Sequence, residues 1–242
     1  MISTAYYEIL QDGLPDKIKV NKIIHGISWT AAVLSDGRCG VAMHTPGETV
    51  ERMYANLEEL PVSEAGKAML SWNMEEASEA LACVNAFYNC PDCGFITENC
   101  NALDGYDLSG RTVGMVGHMV GHSGMSEENF RDVKKLYILD REEKPGALLD
   151  RACEYYLPLC DLVIITGSAA INKTMPRLLE LSMGAEVILT GPSVTCRPEL
   201  IELGITRLNG RVITQKEEML DAIVQKRTSV NAYSVPFRCE RR

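Results

Sequence analysis

The stretch Arg111-Thr112-Val113-Gly114-Met115-Val116-Gly117-His118-Met119-Val120-Gly121-His122 constrains the fold more than any other, because a short apolar run breaks into closely spaced glycines. A buried strand hands over to a tight turn in that way. Glycines at such a turn let backbone N–H groups approach an anion or a polar ring, and a helix that follows adds its positive dipole end. The spacing is G-x-x-G-x-x-x-G rather than the dinucleotide fingerprint G-x-G-x-x-G, so it points to a nucleotide-like pocket without naming the nucleotide.

Downstream, apolar runs alternate with helical patterns: Leu136 to Leu139, Ala147 to Leu157, Leu162 to Ile165, Met175 to Leu181 and Val187 to Leu189. This alternation predicts an α/β fold, a doubly wound parallel sheet with crossover helices. Ligands of such sheets sit beyond the carboxyl ends of the strands, where strand order reverses. Those ends read Gly114 to Gly121, Asp140-Arg141, Thr166-Gly167-Ser168 and Thr190-Gly191-Pro192-Ser193. All are small, polar or turn-forming.

The first hundred residues follow another pattern, with a boundary expected near Asn101 to Asp107. Trp29 to Leu34 and Cys39 to His44 flank Asp36-Gly37, a preferred pair for a two-residue type I′ hairpin turn. That turn would set Leu34 opposite Cys39, Ala32 opposite Val41, Thr30 opposite Met43 and Trp29 opposite His44. Leu34, Ala32, Thr30, Cys39, Val41 and Met43 would then share one face, and Trp29, Ala31, Val33, Gly40, Ala42 and His44 the other. Ile18 to Ile24, ending at His25-Gly26, would complete a meander. Ser63 can cap a short helix through Leu70, and Asn73 with Glu76 starts a longer one whose buried stripe is Ala77, Ala80, Leu81, Val84, Phe87 and Tyr88. Asn85 flanks that stripe, where its amide is either tied to backbone or aimed into a site.

Charge and cysteine usage narrow the function classes. A net charge of -9 repels a phosphate backbone, and no dense basic patch precedes the short tail Arg238 to Arg242, which argues against nucleic acid. No apolar run approaches membrane-spanning length and the N-terminus lacks a signal-peptide layout, so a cytoplasmic location is expected. Nine cysteines, an odd number, then read as reduced thiols.

Gly26-Ile27-Ser28-Trp29-Thr30 before a Gly-containing hairpin, Asn85-Ala86 late in a helix, Val113-Gly114-Met115-Val116-Gly117, Thr166-Gly167-Ser168 with Ile171-Asn172-Lys173-Thr174, and Gly191-Pro192-Ser193 occur here in an order that resembles the heavy-metal chelation family. The resemblance spans nearly the whole chain. It implies an enolase N-terminal-like α+β domain over 1–100, a Rossmann-like domain over 105–242 and a site at their seam. It also implies a role in making or processing a pterin-, flavin- or siderophore-like metal chelator, by condensation or hydrolysis, with partial similarity to Rossmann-like methyltransferases.

The cysteines offer a rival, non-catalytic metal-binding reading. Cys90 and Cys93 form a C-x-x-C knuckle with Cys83 and Cys100 placed symmetrically outside it, a four-thiol set for zinc or an iron–sulfur cluster. The outer spacings are unlike structural zinc sites, which bring two close pairs. Cys153, Cys160, Cys196 and Cys239 show no ligand spacing. His118 and His122 would share a helix face if the turn were helical; as a loop, His118 is better read as a polar contact to a ligand. Asp140 stands where Rossmann proteins place an acidic residue on a ribose diol, or begins a solvated charged loop. No G-x-S-x-G, H-E-x-x-H or Walker A pattern is present.

The expected site therefore holds a polar small molecule by Gly114, Gly117, Gly121, Thr166, Gly167, Ser168, Gly191 and Ser193, with His118, Asn172 and Asp140 at the margins. Trp29 would stack on it, and His25, Thr30 and Asn85 would donate, accept or transfer protons, His25 being the one with an ordinary pKa near neutrality. No cofactor is named by the sequence, and a homo-oligomer is left open.

Overall fold

The computed structural model describes residues 4–47, 49–121 and 125–241. After helix α1 (Ala5–Gln11) come strands β1 (Val20–His25), β2 (Trp29–Leu34) and β3 (Cys39–Met43), which form an antiparallel meander in that order. Helices α2 (Val62–Lys67) and α3 (Met74–Tyr88) follow. Pro61, not Ser63, stands at the N-cap of α2, whereas Asn73 caps α3 as its sequence suggests, its side chain accepting from the Glu76 N–H. Glu76 does not close a capping box. Its carboxylate, fully buried, accepts instead from the backbone N–H groups of Met53 and Tyr54, both at 2.8 Å.

The hairpin register differs from the sequence expectation by one residue. Trp29 pairs with Met43, Thr30 with Ala42, Ala31 with Val41, Ala32 with Gly40 and Val33 with Cys39. Gly37 is the reason. It takes the left-handed conformation, φ 88°, while its N–H bonds to Leu34 O and Leu34 N–H bonds to Arg38 O, so three residues close the turn rather than two. A one-residue slip exchanges faces along one strand. Thr30, Ala32 and Leu34 thus share a face with Gly40, Ala42 and His44, while Trp29, Ala31 and Val33 join Cys39, Val41 and Met43.

Both faces are covered. Ala32, Leu34 and Ala42 enter the main core with α3, whereas Ala31, Val33, Cys39 and Val41 pack on Met219 and Ile223 of a C-terminal helix, α6 below. The contact with α3 is close enough that a Cβ on Gly40 would lie 2.1 Å from Ala86 N. Helix α3 is buried on every side from Glu76 to Ala86.

The remainder runs β4 (Thr112–Val116), β5 (Lys135–Asp140), β6 (Leu148–Leu149), α4 (Cys153–Tyr156), β7 (Leu162–Thr166), α5 (Met175–Leu181), β8 (Glu186–Thr190), β9 (Arg207–Ile213), α6 (Lys216–Val224) and β10 (Ser234–Glu240). A seven-stranded sheet forms in the order β10-β9-β8-β7-β4-β5-β6, parallel except for β10, so Val113, Ile138, Ile164 and Ile188 lie in one sheet as expected. Its central strands are apolar throughout because both faces are buried. Val163, Ile165, Val187 and Leu189 face the core shared with α5 and α3; Val113, Met115, Leu162, Ile164 and Ile188 face Ala102, Leu103 and Leu108 of the connecting segment and Phe130. From β4 the chain first builds outward to β5 and β6, then returns to place β7 on the other side of β4. Strand order thus reverses between β4 and β7, the edge at which sheets of this kind hold ligands. No helix among the described residues is long and apolar enough to cross a membrane.

Gly40→Ala is expected to lower unfolding stability by about 3 kcal/mol, because backbone rather than a movable side chain blocks the new methyl. Gly37→Ala, which meets nothing within 4 Å, should lose only about 1 kcal/mol from its left-handed backbone. Urea midpoints of the two variants check the ranking.

Candidate functional site

The register finding decides which side chains meet. His25 pairs with Thr30, and His44 N–H bonds to Ser28 O, so His25, Thr30 and His44 all project from the meander face that meets α3. Thr30 Oγ1 lies 3.0 Å from His44 Nδ1 and 3.4 Å from His25 Nδ1, and the two imidazole rings stand edge to face with centroids 5.4 Å apart. Helix α3 brings its first turns to the same place. His25 Nε2 is 3.2 Å from Glu79 Oε1, and His25 Nδ1 is 4.0 Å from Glu75 Oε1. Arg52 completes the cluster by gripping both oxygens of Glu79.

The charges sort themselves by partner. The hydrogen bond to Glu79 raises the His25 pKa above the ordinary histidine value, against the opposing effect of burial. His44 moves the other way, lowered by burial and by the neighbouring His25 charge. Burial opposes ionisation of Glu79, but His25 and Arg52 overcome it and hold its pKa below the usual range. One imidazole is therefore biased to carry a proton while the other is biased to stay neutral.

His25, His44 and Glu75 can bring three ligand atoms within 4.8 Å of one another, the only such set of histidine, cysteine or acidic donors among the described residues. Two imidazoles and a carboxylate suit a borderline divalent ion. The outer contacts suit it as well. A metal-ligating histidine characteristically donates its other ring N–H to a carboxylate, and Glu79, fixed by Arg52, stands at that position. Thr30 is fully buried, so its hydroxyl orients the two rings and has no path to a substrate.

The loop after β8 reaches the strand that carries His44, and the loop after β7 packs on it. Met43 N–H donates to Ser193 Oγ at 2.9 Å, which sets His44, the next residue, beside the β8 loop. Gly167 packs so tightly on that loop that a Cβ would lie 2.6 Å from Val194 N. At the carboxyl end of β4, Gly117 has φ 90° and donates its N–H to Leu139 O; a Cβ there would come within 3.0 Å of Thr166 Cγ2. Thr166 and Ser168 hydroxyls lie 3.1 Å apart. Gly191, φ 107°, and Gly121, φ 84°, turn into open space.

Several expected roles change. Trp29 lies on the opposite face of the meander from Thr30, its indole N–H donating to Thr228 O at 2.7 Å, so it does not stack at the seam. Asn85 is tied to structure: its Nδ2 donates to Val41 O and its Oδ1 accepts from the Thr195 hydroxyl, which occupies the amide that proton transfer would need. Gly114 makes room for Leu157 and Cys160 beneath the sheet rather than for a ligand. Asp140 accepts from the N–H groups of His118 and Glu142 and from Lys144 Nζ; burial disfavours its charge, yet these donors keep its pKa low. Its carboxylate thus organises the turn after β4. Asn172 Oδ1 accepts from Thr174. His122 lies outside the described residues.

The cysteine set is also dispersed. Cys83 is buried in the core of α3, Cys100 receives the Asn209 side-chain N–H at 3.6 Å, and Cys93 meets Cys196. Cys90, Cys93 and Cys100 do not gather as a ligand set. His44, Glu75, Glu79 and Arg52 were not singled out as site residues from the sequence. His44 ends a strand as His25 does, but the two-residue turn puts it opposite Trp29, on the face away from Thr30. Nothing local marks the others, since helix spacing alone does not say what faces Glu75 and Glu79.

The DUF364 family, described as "Putative heavy-metal chelation", matches residues 101–229, and the DUF4213 family, with the same description, matches residues 7–88. The chain belongs to the DUF364 family. No curated protein matches it significantly. Among solved structures it is similar to a DUF364 protein of unknown function from Desulfitobacterium hafniense DCB-2, at 27% identity over 98% of each chain with a TM-score of 0.85. A second, from Pyrococcus horikoshii and also of unknown function, shares the fold at 21% identity over 100% of each chain with a TM-score of 0.79.

Two outcomes follow from these contacts. Asn85→Ala leaves a buried carbonyl and hydroxyl without their partner and should cost about 2 kcal/mol in urea unfolding. His25 holds its proton more tightly folded than unfolded, where histidine titrates near pH ~6.5. Its contribution is therefore fully present below that value and is lost as pH rises through the folded-state pKa. In metal-free buffer the stability advantage of the parent over His25→Asn should narrow with rising pH; a constant difference would refute the His25–Glu79 pairing.

Proposed function

We propose that the protein binds a divalent transition-metal ion through His25, His44 and Glu75 and presents it to a polar, metal-chelating small molecule held at the carboxyl ends of β4, β7 and β8. The observation that carries this reading is the three-donor set with Glu79 and Arg52 behind His25. Three protein ligands leave a coordination position for a group from another molecule, the arrangement of sites that act on or exchange a ligand rather than merely brace a fold. Gly117, Thr166, Ser168, Gly191 and Ser193 supply backbone and hydroxyl contacts beside it, with His118 at the margin. A pterin-, flavin- or siderophore-like molecule fits such a site, having both metal-binding heteroatoms and a polar ring. Condensation or hydrolysis of that molecule is the chemistry we assign, with residues 1–100 contributing the donor set and residues 105–242 the ligand-holding edge.

The chain's own part is to set the donors and handle one proton. Glu79 orients the His25 ring through Nε2 and Thr30 orients the His44 ring through Nδ1. A bound ion supplies Lewis acidity at the open position. Because ligation needs neutral imidazole, a metal competes with the His25 proton.

Titration calorimetry with Zn²⁺ tests the reading. The parent should bind one ion, His44→Ala and Glu75→Gln should abolish stoichiometric binding, and Glu79→Gln, which removes only the outer carboxylate, should weaken it about 10- to 100-fold. Affinity should fall by about tenfold per pH unit below the His25 pKa, as one proton displaces the metal. Equal affinity of the parent and His44→Ala would overturn the assignment, whereas loss of the ion in a Cys90→Ser/Cys93→Ser variant would favour the thiol-based alternative.

A further inference from the structure

Two cysteines that show no ligand spacing in the sequence, Cys196 and Cys239, meet the C-x-x-C turn in the fold. Helix α3 is capped by Asn89, and a 3-10 turn over Pro91–Cys93 follows, closed by the Cys93 N–H on Cys90 O at 3.0 Å. Hydrogen bonds hold this turn on both sides. Before it, Asn89 accepts from the Cys196 N–H at 2.7 Å and donates to Val194 O at 2.8 Å. After it, the Arg238 N–H donates to Phe95 O at 2.9 Å, and Ile96 bridges Phe237 of β10. The turn is thereby clamped between the loop after β8, which carries Cys196, and the last strand, which carries Cys239.

The thiols converge inside that clamp. Cys196 and Cys239 are buried in the main core, and Cys93, only half-buried, packs on the same core from outside. Cys93 hydrogen-bonds the Cys196 thiol, and Cys239 and Cys90 lie near enough to act on it electrostatically. The turn itself is open to water, with Pro91, Asp92 and Gly94 exposed around Cys93. One thiol of the pair can thus be reached from solvent while its partner stands behind it.

Charge decides between a metal and a covalent bond at this pair. Among the described residues no third donor atom closes on Cys93 and Cys196 as Glu75 closes on the two histidines. A two-coordinate monovalent ion on two thiolates would leave a net negative charge, and the groups that act most on Cys196 are other thiols, with no lysine or arginine prominent among them. A disulfide is neutral and needs no counter-ion.

We propose that Cys93 and Cys196 form a dithiol site that a low-molecular-weight disulfide oxidises to a Cys93–Cys196 bond. The Cys93 thiolate attacks one sulfur of the small disulfide, forming a mixed disulfide and expelling one thiolate. Cys196 then loses its proton and attacks Cys93 Sγ, expelling the second. Two protein thiols are oxidised, and the small disulfide leaves as two thiols that carry away the two protons. The new bond ties the turn after α3 to residues 193–196, the junction that Asn85 and Asn89 already fasten. No metal takes part, so this chemistry stands apart from the histidine site.

The full-length protein, reduced and kept under EDTA without oxygen, is equilibrated with mixtures of oxidised and reduced glutathione, quenched with acid, alkylated and mapped by peptide mass spectrometry. The Cys93–Cys196 crosslink should exceed any other pairing, Cys90–Cys93 included, by at least about tenfold, because a native contact gives the second step a high effective concentration. Cys93→Ser and Cys196→Ser should each remove it, while Cys90→Ser retains it. Burial pushes the Cys196 thiol pKa up, so the mixed disulfide on Cys93 should form first and its closure should quicken as pH rises. The oxidised parent should unfold at higher urea than the reduced one, since the bond closes a long loop of the unfolded chain, and dithiothreitol should reverse the gain. Should Cys196→Ser fold poorly, the map of the parent alone decides, because it reads the linkage directly. A dominant Cys90–Cys93 linkage, a Cys93 mixed disulfide that never closes, or a Cys93–Cys196 bond formed only in urea overturns the proposal. Zinc bound stoichiometrically by reduced His44→Ala without EDTA and released on oxidation would also overturn it, by assigning the thiols to a metal.

Discussion

The three-residue closure of the β2–β3 hairpin governs most of what this molecule presents at its seam. Gly37 in the left-handed region moves the pairing by one residue from what a two-residue turn would impose. Side chains alternate along a strand, so this small backbone choice sends Thr30 and His44 to the α3 face together and sends Trp29 to α6. Packing then enforces the choice. Gly40 sits against the α3 backbone at Ala86, where no side chain fits, and Ala32 and Ala42 flank it with the smallest apolar groups. A slipped hairpin would bring larger side chains to that contact. The histidine pair is thus a consequence of close packing by small residues several positions away.

The meander is fastened to the parallel sheet by amides. Asn85 in the last turn of α3 and Asn89 at its C-cap share the work: Asn85 joins Val41 O to the Thr195 hydroxyl, while Asn89 accepts from Cys196 N–H and donates to Val194 O. All these groups are buried, so leaving any one unpaired would be costly. Such networks fix orientation more tightly than apolar contact alone, because a displaced amide loses its partners over a few tenths of an ångström. The loop following β8 is held at both ends of this short segment, and its Ser193 meets Met43 N–H on the strand leading to His44. The candidate metal donors and the carboxyl edge of the large sheet are positioned by one continuous set of contacts.

The sheet was legible in the sequence because its evidence is local. Val113, Leu162 to Ile165 and Val187 to Leu189 are apolar runs whose burial on both faces is the reason they are apolar, and the glycines after β4 mark a turn that Gly117 makes with φ 90°. The Asn73 cap could be read for the same reason. The site was legible only in part. Gly114 looks like a ligand-facing glycine in sequence, yet its missing side chain accommodates Leu157 and Cys160, partners set by a crossover far along the chain. Asp140 carries the expected type at the expected strand end, but nearby N–H groups and Lys144 occupy its oxygens. Glu75, Glu79 and Arg52 acquire meaning only when α3 and the 44–54 segment meet the meander. The C-x-x-C pair shows the converse, a pattern with local spacing that the fold does not gather into a ligand set.

The electrostatics of the cluster make the two histidines unequal, and the inequality has a structural cause. Both rings share Thr30 through Nδ1, so the hydroxyl cannot itself distinguish them. Glu79 can, because it reaches His25 Nε2 while Arg52 fixes its own position from the far side. His25 is thereby biased toward the charged form, and that charge helps to keep His44 neutral. His25 faces Glu75 and Glu79, and Arg52 already balances the second of these. A cation entering at Nδ1 would take the proton's place, with Glu79 then accepting from the remaining ring N–H. The His25–Glu79 hydrogen bond could then serve both states, while the long Thr30 contact at His25 Nδ1 would give way to the ion.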